Sequence, residues 1–99
     1  MPVLYRVREK PAQTRTNNWA EANGVPHITL TLRGRRGWPD EVYWVRGGRP
    51  LLIEFKAPGE EPRKLQLYTH ELLRKLGYEV QVHTDECEAI KAIRVAMEA

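Results

Sequence analysis

The sequence predicts an α/β domain: a mixed four-stranded sheet flanked by helices, in the order α-β-β-β-α-β-α. Three observations predict it. Apolar residues recur at helical spacing near both ends and in the middle of the chain, four short runs alternate with period two, and glycines punctuate the joins. The last strand follows a helix, so it joins the sheet by a crossover and not by a hairpin.

The first helix is expected from about Val7 to Asn23, with scattered small residues and a stop at Asn23-Gly24. Pro11 is tolerable there only within the first turn. The run His27-Ile28-Thr29-Leu30-Thr31-Leu32 alternates strictly and reads as the first strand. Glu41 to Arg46 is rich in β-branched and aromatic residues and reads as the second. Gly47-Gly48 then turns the chain into a third strand over Leu51–Ala57, an antiparallel hairpin that Pro58-Gly59 ends. A second helix is expected from Pro62 to Leu76, with Leu65, Tyr68, Leu72 and Leu76 as its buried stripe. Tyr78 to His83 alternates again. Asp85 caps a final helix that buries Ala89, Ile90, Ile93, Ala96 and Met97.

Ninety-nine residues, 41% of them hydrophobic and 29% charged, suit one domain over residues 1–99 with a single core. No apolar run approaches the roughly 18 residues of a membrane span, and the early charges leave no room for a signal-peptide apolar stretch. The lone Cys87 excludes an internal disulfide and a multi-cysteine zinc cluster, so a reducing cytoplasm is the expected compartment. The net charge of +3 is unevenly spread: residues 1–49 hold nine Lys/Arg against four Asp/Glu, residues 50–99 seven against nine. The densest basic run, Arg33-Gly34-Arg35-Arg36-Gly37, immediately precedes Trp38-Pro39-Asp40. A basic loop beside carboxylates suits a polyanion, although an isolated basic turn is also ordinary solvated surface.

Chemistry concentrates in Asp40 and in Glu54-Phe55-Lys56. Alternation in the third strand puts Leu52, Glu54 and Lys56 on one face and Leu51, Ile53, Phe55 and Ala57 on the other. Asp40, at the start of the paired strand, comes close to Glu54 across the hairpin. Two carboxylates and the backbone carbonyl of Phe55 are oxygen donors suited to a hard divalent cation such as Mg²⁺ or Mn²⁺. Such a cation polarises a phosphoryl oxygen and activates water, and the ammonium of Lys56 faces the same place. The same three residues also occur together as a turn dipeptide and a cross-strand surface pair. Arg33, Arg35, Arg36, Arg63 and Lys64 are the candidate phosphate contacts, without base readout. His27, His70 and His83 are too widely spaced for a metal motif, but His70 shares a helical face with Gln66 four residues earlier. Trp38 is placed either to stack on a base or to pack on the hairpin.

Taken together, Gly34-Arg35-Arg36-Gly37-Trp38-Pro39-Asp40, Ile53 to Gly59, Gln66 and Leu76-Gly77-Tyr78-Glu79-Val80 resemble the VRR-NUC family of the PD-(D/E)xK nuclease superfamily. The resemblance covers about residues 30 to 84. It implies a restriction-endonuclease-like core, with Asp40 and Glu54 as metal ligands, Lys56 as the catalytic lysine and Gln66 as the helix glutamine beside the site. The glutamate that family members often carry in the first helix matches Glu9 by spacing, with Glu21 the fallback. Pro11, so close to Glu9, departs from the usual helix pattern. The implied activity is a metal-dependent endodeoxyribonuclease of stand-alone phage or bacterial type, structure-specific for branched or Holliday-junction-like DNA and working as a homodimer. The alternative is a non-catalytic nucleic-acid-binding module, or a subunit of a nuclease complex, that retains the fold.

Overall fold

The third strand carries apolar side chains at every second position on one side and a carboxylate on the other, and the whole architecture follows from covering both sides. A computed structural model describes residues 10–30 and 37–98. The elements are α1 (Pro11–Ala22), β1 (His27–Thr29), β2 (Glu41–Trp44), a 3₁₀ turn (Arg46–Gly48), β3 (Pro50–Phe55), α2 (Lys64–Lys75), β4 (Glu79–His83) and α3 (Glu86–Glu98).

The sheet order is β1-β2-β3-β4. β1 and β3 each run antiparallel to β2, with Glu41 opposite Ile53 across the hairpin, while β4 runs parallel to β3 with Glu54 opposite Val82. The sheet is therefore mixed, as expected. Gly47 and Gly48 hold φ of +86° and +71°, the left-handed geometry that lets the hairpin turn where the sequence predicts it.

Pro11 occupies the first position of α1, where its missing N–H leaves no helical bond unmade. At α3, the Asp85 side chain accepts from the Glu88 N–H at 2.8 Å and caps the helix. α1 and α3 cover one side of the sheet. Their Ala12, Ala20, Ala89 and Ile93 pack with Tyr43, Leu51, Ile53 and Phe55 in the larger core. α2 covers the other side through Leu73, which packs with Val42, Leu52 and Val80.

One expectation is reversed. Leu65, Tyr68, Leu72 and Leu76 do not form the buried stripe of α2; all four are exposed, and the buried residues are Thr69, His70 and Leu73. Both sets recur at helical spacing, so periodicity alone does not say which faces the sheet. The inward set is chosen by what lies beneath: a buried carboxylate on β3 needs polar partners from the helix above it. The elements are also shorter than their sequence patterns, because β2 leaves the ladder at Trp44 and β3 at Phe55. Thr31 and Leu32 lie outside the described residues.

Candidate metal-phosphate site

Asp40 and Glu54 meet at the end of the sheet because β2 and β3 pair in the register that sets Glu41 against Ile53. The Asp40 N–H donates to the Ile53 carbonyl at 3.1 Å, which fixes the aspartate beside β3 just before β2 begins. Its side chain then accepts from the Phe55 N–H through Oδ2 at 2.7 Å. Glu54 projects under α2 and is 1% exposed, a carboxylate taken almost wholly out of water.

Four groups converge on Glu54. Gln66 donates its Nε2–H to Glu54 Oε2 at 3.2 Å, and its Oε1 accepts from the Arg63 N–H at 2.8 Å, so one amide both caps α2 and reaches the site. The Lys56 ammonium lies 3.8 Å from the same oxygen, with its side chain 10% exposed. His70 Nε2 lies 3.6 Å from Oε1. Lys10, from the residue just before α1, supplies the fourth.

The Lys10 ammonium sits 2.9 Å from Asp40 Oδ2 and 3.4 Å from Glu54 Oε2, and donates as well to the Phe55 carbonyl. Those are the three oxygen donors the sequence assigns to a divalent cation. A positive group held by two carboxylates and one carbonyl shows that the donor set is turned inward on a single point and is suited to a cation. Mg²⁺ commonly takes one or two carboxylates and completes its shell with water and phosphate. The residues present fit that requirement. Among the described residues no three His, Cys, Asp or Glu side chains gather into a metal cluster.

The two acids share their environment unequally. Burial pushes the Asp40 carboxyl above its usual range, and the Glu54 charge adds to this, against the opposing pull of Lys10 and the Phe55 N–H. Burial acts on Glu54 in the same direction, but His70, Lys10, Asp40 and Lys56 outweigh it and hold Glu54 below its usual range. With no divalent ion, Glu54 ionises first and Asp40 keeps its proton longer.

Thus Asp40, Glu54, the Phe55 carbonyl, Lys56 and Gln66 are brought to one place. Arg63 and Lys64 are exposed at the start of α2, the same end of the helix as Gln66. Glu9, Arg33, Arg35 and Arg36 lie outside the described residues. Glu21 does not reach the site; it sits at the far end of α1, where its Oε2 lies 3.0 Å from His27 Nε2. Lys10 was not foreseen from the sequence, because nothing local to a lysine before Pro11 reveals that it crosses to residues thirty and more positions away. His70 left a fainter signal, its spacing from Gln66. Beside the site lies an open groove of about 380 Å³ whose charged lining is balanced, Lys10, Arg15 and Lys56 against Glu60, Asp85 and Glu86.

No family model matches the chain. A solved structure described as a VRR_NUC domain superposes with a TM-score of 0.71 at 30% identity, covering 84% of this chain and 90% of the other. The chain belongs to the VRR-NUC family. A curated phage protein, "Putative nuclease p44" of Acyrthosiphon pisum secondary endosymbiont phage 1, is 45% identical over 49 residues, half of this chain. The match spans about half the length of that relative, 53%. Family membership accounts for the mixed sheet with α2 crossing between β3 and β4.

Proposed function

We propose that this VRR-NUC protein is an endodeoxyribonuclease that hydrolyses DNA phosphodiester bonds with Mg²⁺ or Mn²⁺. The observation that carries the reading is the convergence of Asp40, Glu54 and the Phe55 carbonyl on one cationic nitrogen, with Lys56 alongside. A binding surface alone has little use for two buried acids aimed at a polyanion.

Asp40 and Glu54 would hold the ion, with the Phe55 carbonyl as a further donor. Bound there, a divalent ion would polarise a phosphoryl oxygen and lower the pKa of water at the scissile phosphate. Lys56 is held within 3.8 Å of Glu54, so its ammonium is positioned to stabilise charge growing on the phosphate during in-line attack. Gln66 fixes Glu54 and the start of α2 together. Arg63 and Lys64, exposed at the start of α2, would contact flanking phosphates.

Action on branched or Holliday-junction-like DNA as a homodimer follows from likeness to stand-alone family members. A two-fold pair presents two equivalent sites to two strands. A bacterial or phage-infected cytoplasm is the proposed setting.

The test is cleavage of labelled junction, flap, single-stranded and linear duplex DNA with Mg²⁺ or Mn²⁺. Products are expected on the branched substrates with either ion, lost in Asp40→Asn and reduced about 10²-fold or more in Lys56→Ala. Sedimentation is expected to give twice the 11.5 kDa chain mass. Tight binding without products under any metal would replace the enzyme with a non-catalytic binding module, and activity that appears only with an added protein would make the chain a complex subunit.

A further inference from the structure

α2 lays two side chains against one carboxylate. Gln66 and His70 are four residues apart and so share a helix face. Gln66 takes Glu54 Oε2 at 3.2 Å, and His70 Nε2 lies 3.6 Å from the other oxygen, Oε1. His70 is wholly buried, and among the described residues neither of its ring nitrogens nor Glu54 Oε1 has a hydrogen-bond partner within normal range.

A buried polar ring without partners destabilises a small fold, and a leucine at this position would escape that cost. Helix α2 nonetheless places an imidazole there, aimed at the one oxygen of Glu54 that Lys10, Lys56 and Gln66 leave alone. With Glu54 Oε2 turned toward the cation pocket, Oε1 is the handle by which the carboxylate can be held from behind. The Nε2–H tautomer of His70 donates along that line, and a shift of a few tenths of an ångström closes the contact to an ordinary hydrogen bond.

We propose that His70 is a positioning residue for Glu54, holding Oε1 so that Oε2 faces the cation; this rests on the nuclease reading of the site. His70 touches neither substrate nor ion. It acts through Glu54, as outer partners of ligating carboxylates do. It faces Glu54 from β3, and the other buried residues of its own helix are Thr69 and Leu73.

The experiment compares wild type, His70→Leu and His70→Gln by isothermal titration with Mn²⁺ in the absence of DNA, alongside thermal melting and steady-state cleavage. His70→Leu is expected to fold with an unchanged or higher melting temperature and to bind Mn²⁺ about tenfold or more weakly. Its kcat should fall while KM for DNA holds. His70→Gln, whose amide can donate to Oε1, should recover binding to within about threefold of wild type. A wild type that binds Mn²⁺ and cleaves, beside a His70→Leu that binds Mn²⁺ equally well, overturns the positioning role and leaves the nuclease reading standing. A wild type that neither binds Mn²⁺ nor cleaves overturns both. If His70→Leu does not fold, His70→Met takes its place, with the same two outcomes.

Discussion

The ammonium nitrogen of Lys10 lies 2.9 Å from Asp40 Oδ2, across thirty residues of sequence, and fills the point on which the candidate metal donors converge. Without a divalent ion, two buried acids close together repel each other, and Lys10 relieves that repulsion. Its side chain is 39% exposed, so solvent lies within its reach.

Lys10→Gln therefore separates two effects. Without metal the variant should lose about 1–2 kcal/mol, below the range for breaking a fully buried pair because Lys10 is partly solvated. With Mn²⁺ the same variant should bind the ion more tightly than wild type, since no ammonium has to be displaced. Chemical denaturation and calorimetric titration read the two separately. Unchanged metal-free stability with unchanged Mn²⁺ affinity would show that Lys10 does not sit in the site.

Gly37 sets the approach of the Trp38-Pro39-Asp40 segment to α2. Its φ is +85°, and a Cβ there would stand 2.8 Å from Leu65 Cγ and 3.0 Å from the Leu65 carbonyl. Gly37→Ala should cost about 2–4 kcal/mol, from left-handed strain and overpacking together. Gly59 has a φ of +86°, and a Cβ added there would meet nothing within 4 Å, so Gly59→Ala should cost only the strain, about 1–2 kcal/mol. Equal melting temperatures for the two variants would contradict this packing.

A second polar cluster lies on the other side of the sheet, and it makes stability depend on pH. Glu41 is fully buried and accepts from Gln13 Nε2 and Thr29 Oγ1, both at 2.9 Å, with His27 Nδ1 at 2.6 Å. Burial works against a charge on His27, but Glu41 and Glu21 outweigh it and raise its pKa above the usual 6.5. The folded protein thus holds this proton more tightly than the unfolded chain. Its contribution is complete below about pH 6.5 and is lost as pH rises through the higher folded value. Urea midpoints should fall between pH 6 and pH 8.5 in wild type and fall less in His27→Gln. Parallel declines would remove His27 as the cause.

How much of this was legible in the sequence depends on whether the relevant contact is local. Period-two alternation around Glu54 needs only neighbouring residues, and it separates Leu51, Ile53 and Phe55, which reach the core, from Glu54; Ala57, expected on the core face, lies past the end of β3 and is exposed. Asp85 as a cap and Pro11 in a first helical turn are likewise local, and both are found. The inward face of α2 was not legible, because the leucine-tyrosine stripe and the Gln66, Thr69, His70, Leu73 set share one period. Only the buried acid below decides between them. Lys10 and the Glu41 cluster were missed for a related reason: each is defined by partners brought together from separate elements.

If Asp40, Glu54 and the Phe55 carbonyl form a cation site, Lys10 occupies it only in the absence of metal. Diffraction from crystals grown with Mn²⁺, read by its anomalous signal, decides this. One peak is expected at about 2 Å from an oxygen of each of Asp40 and Glu54, with the Lys10 ammonium moved away. An anomalous peak elsewhere, with Lys10 still bridging the two carboxylates at saturating Mn²⁺, would contradict it.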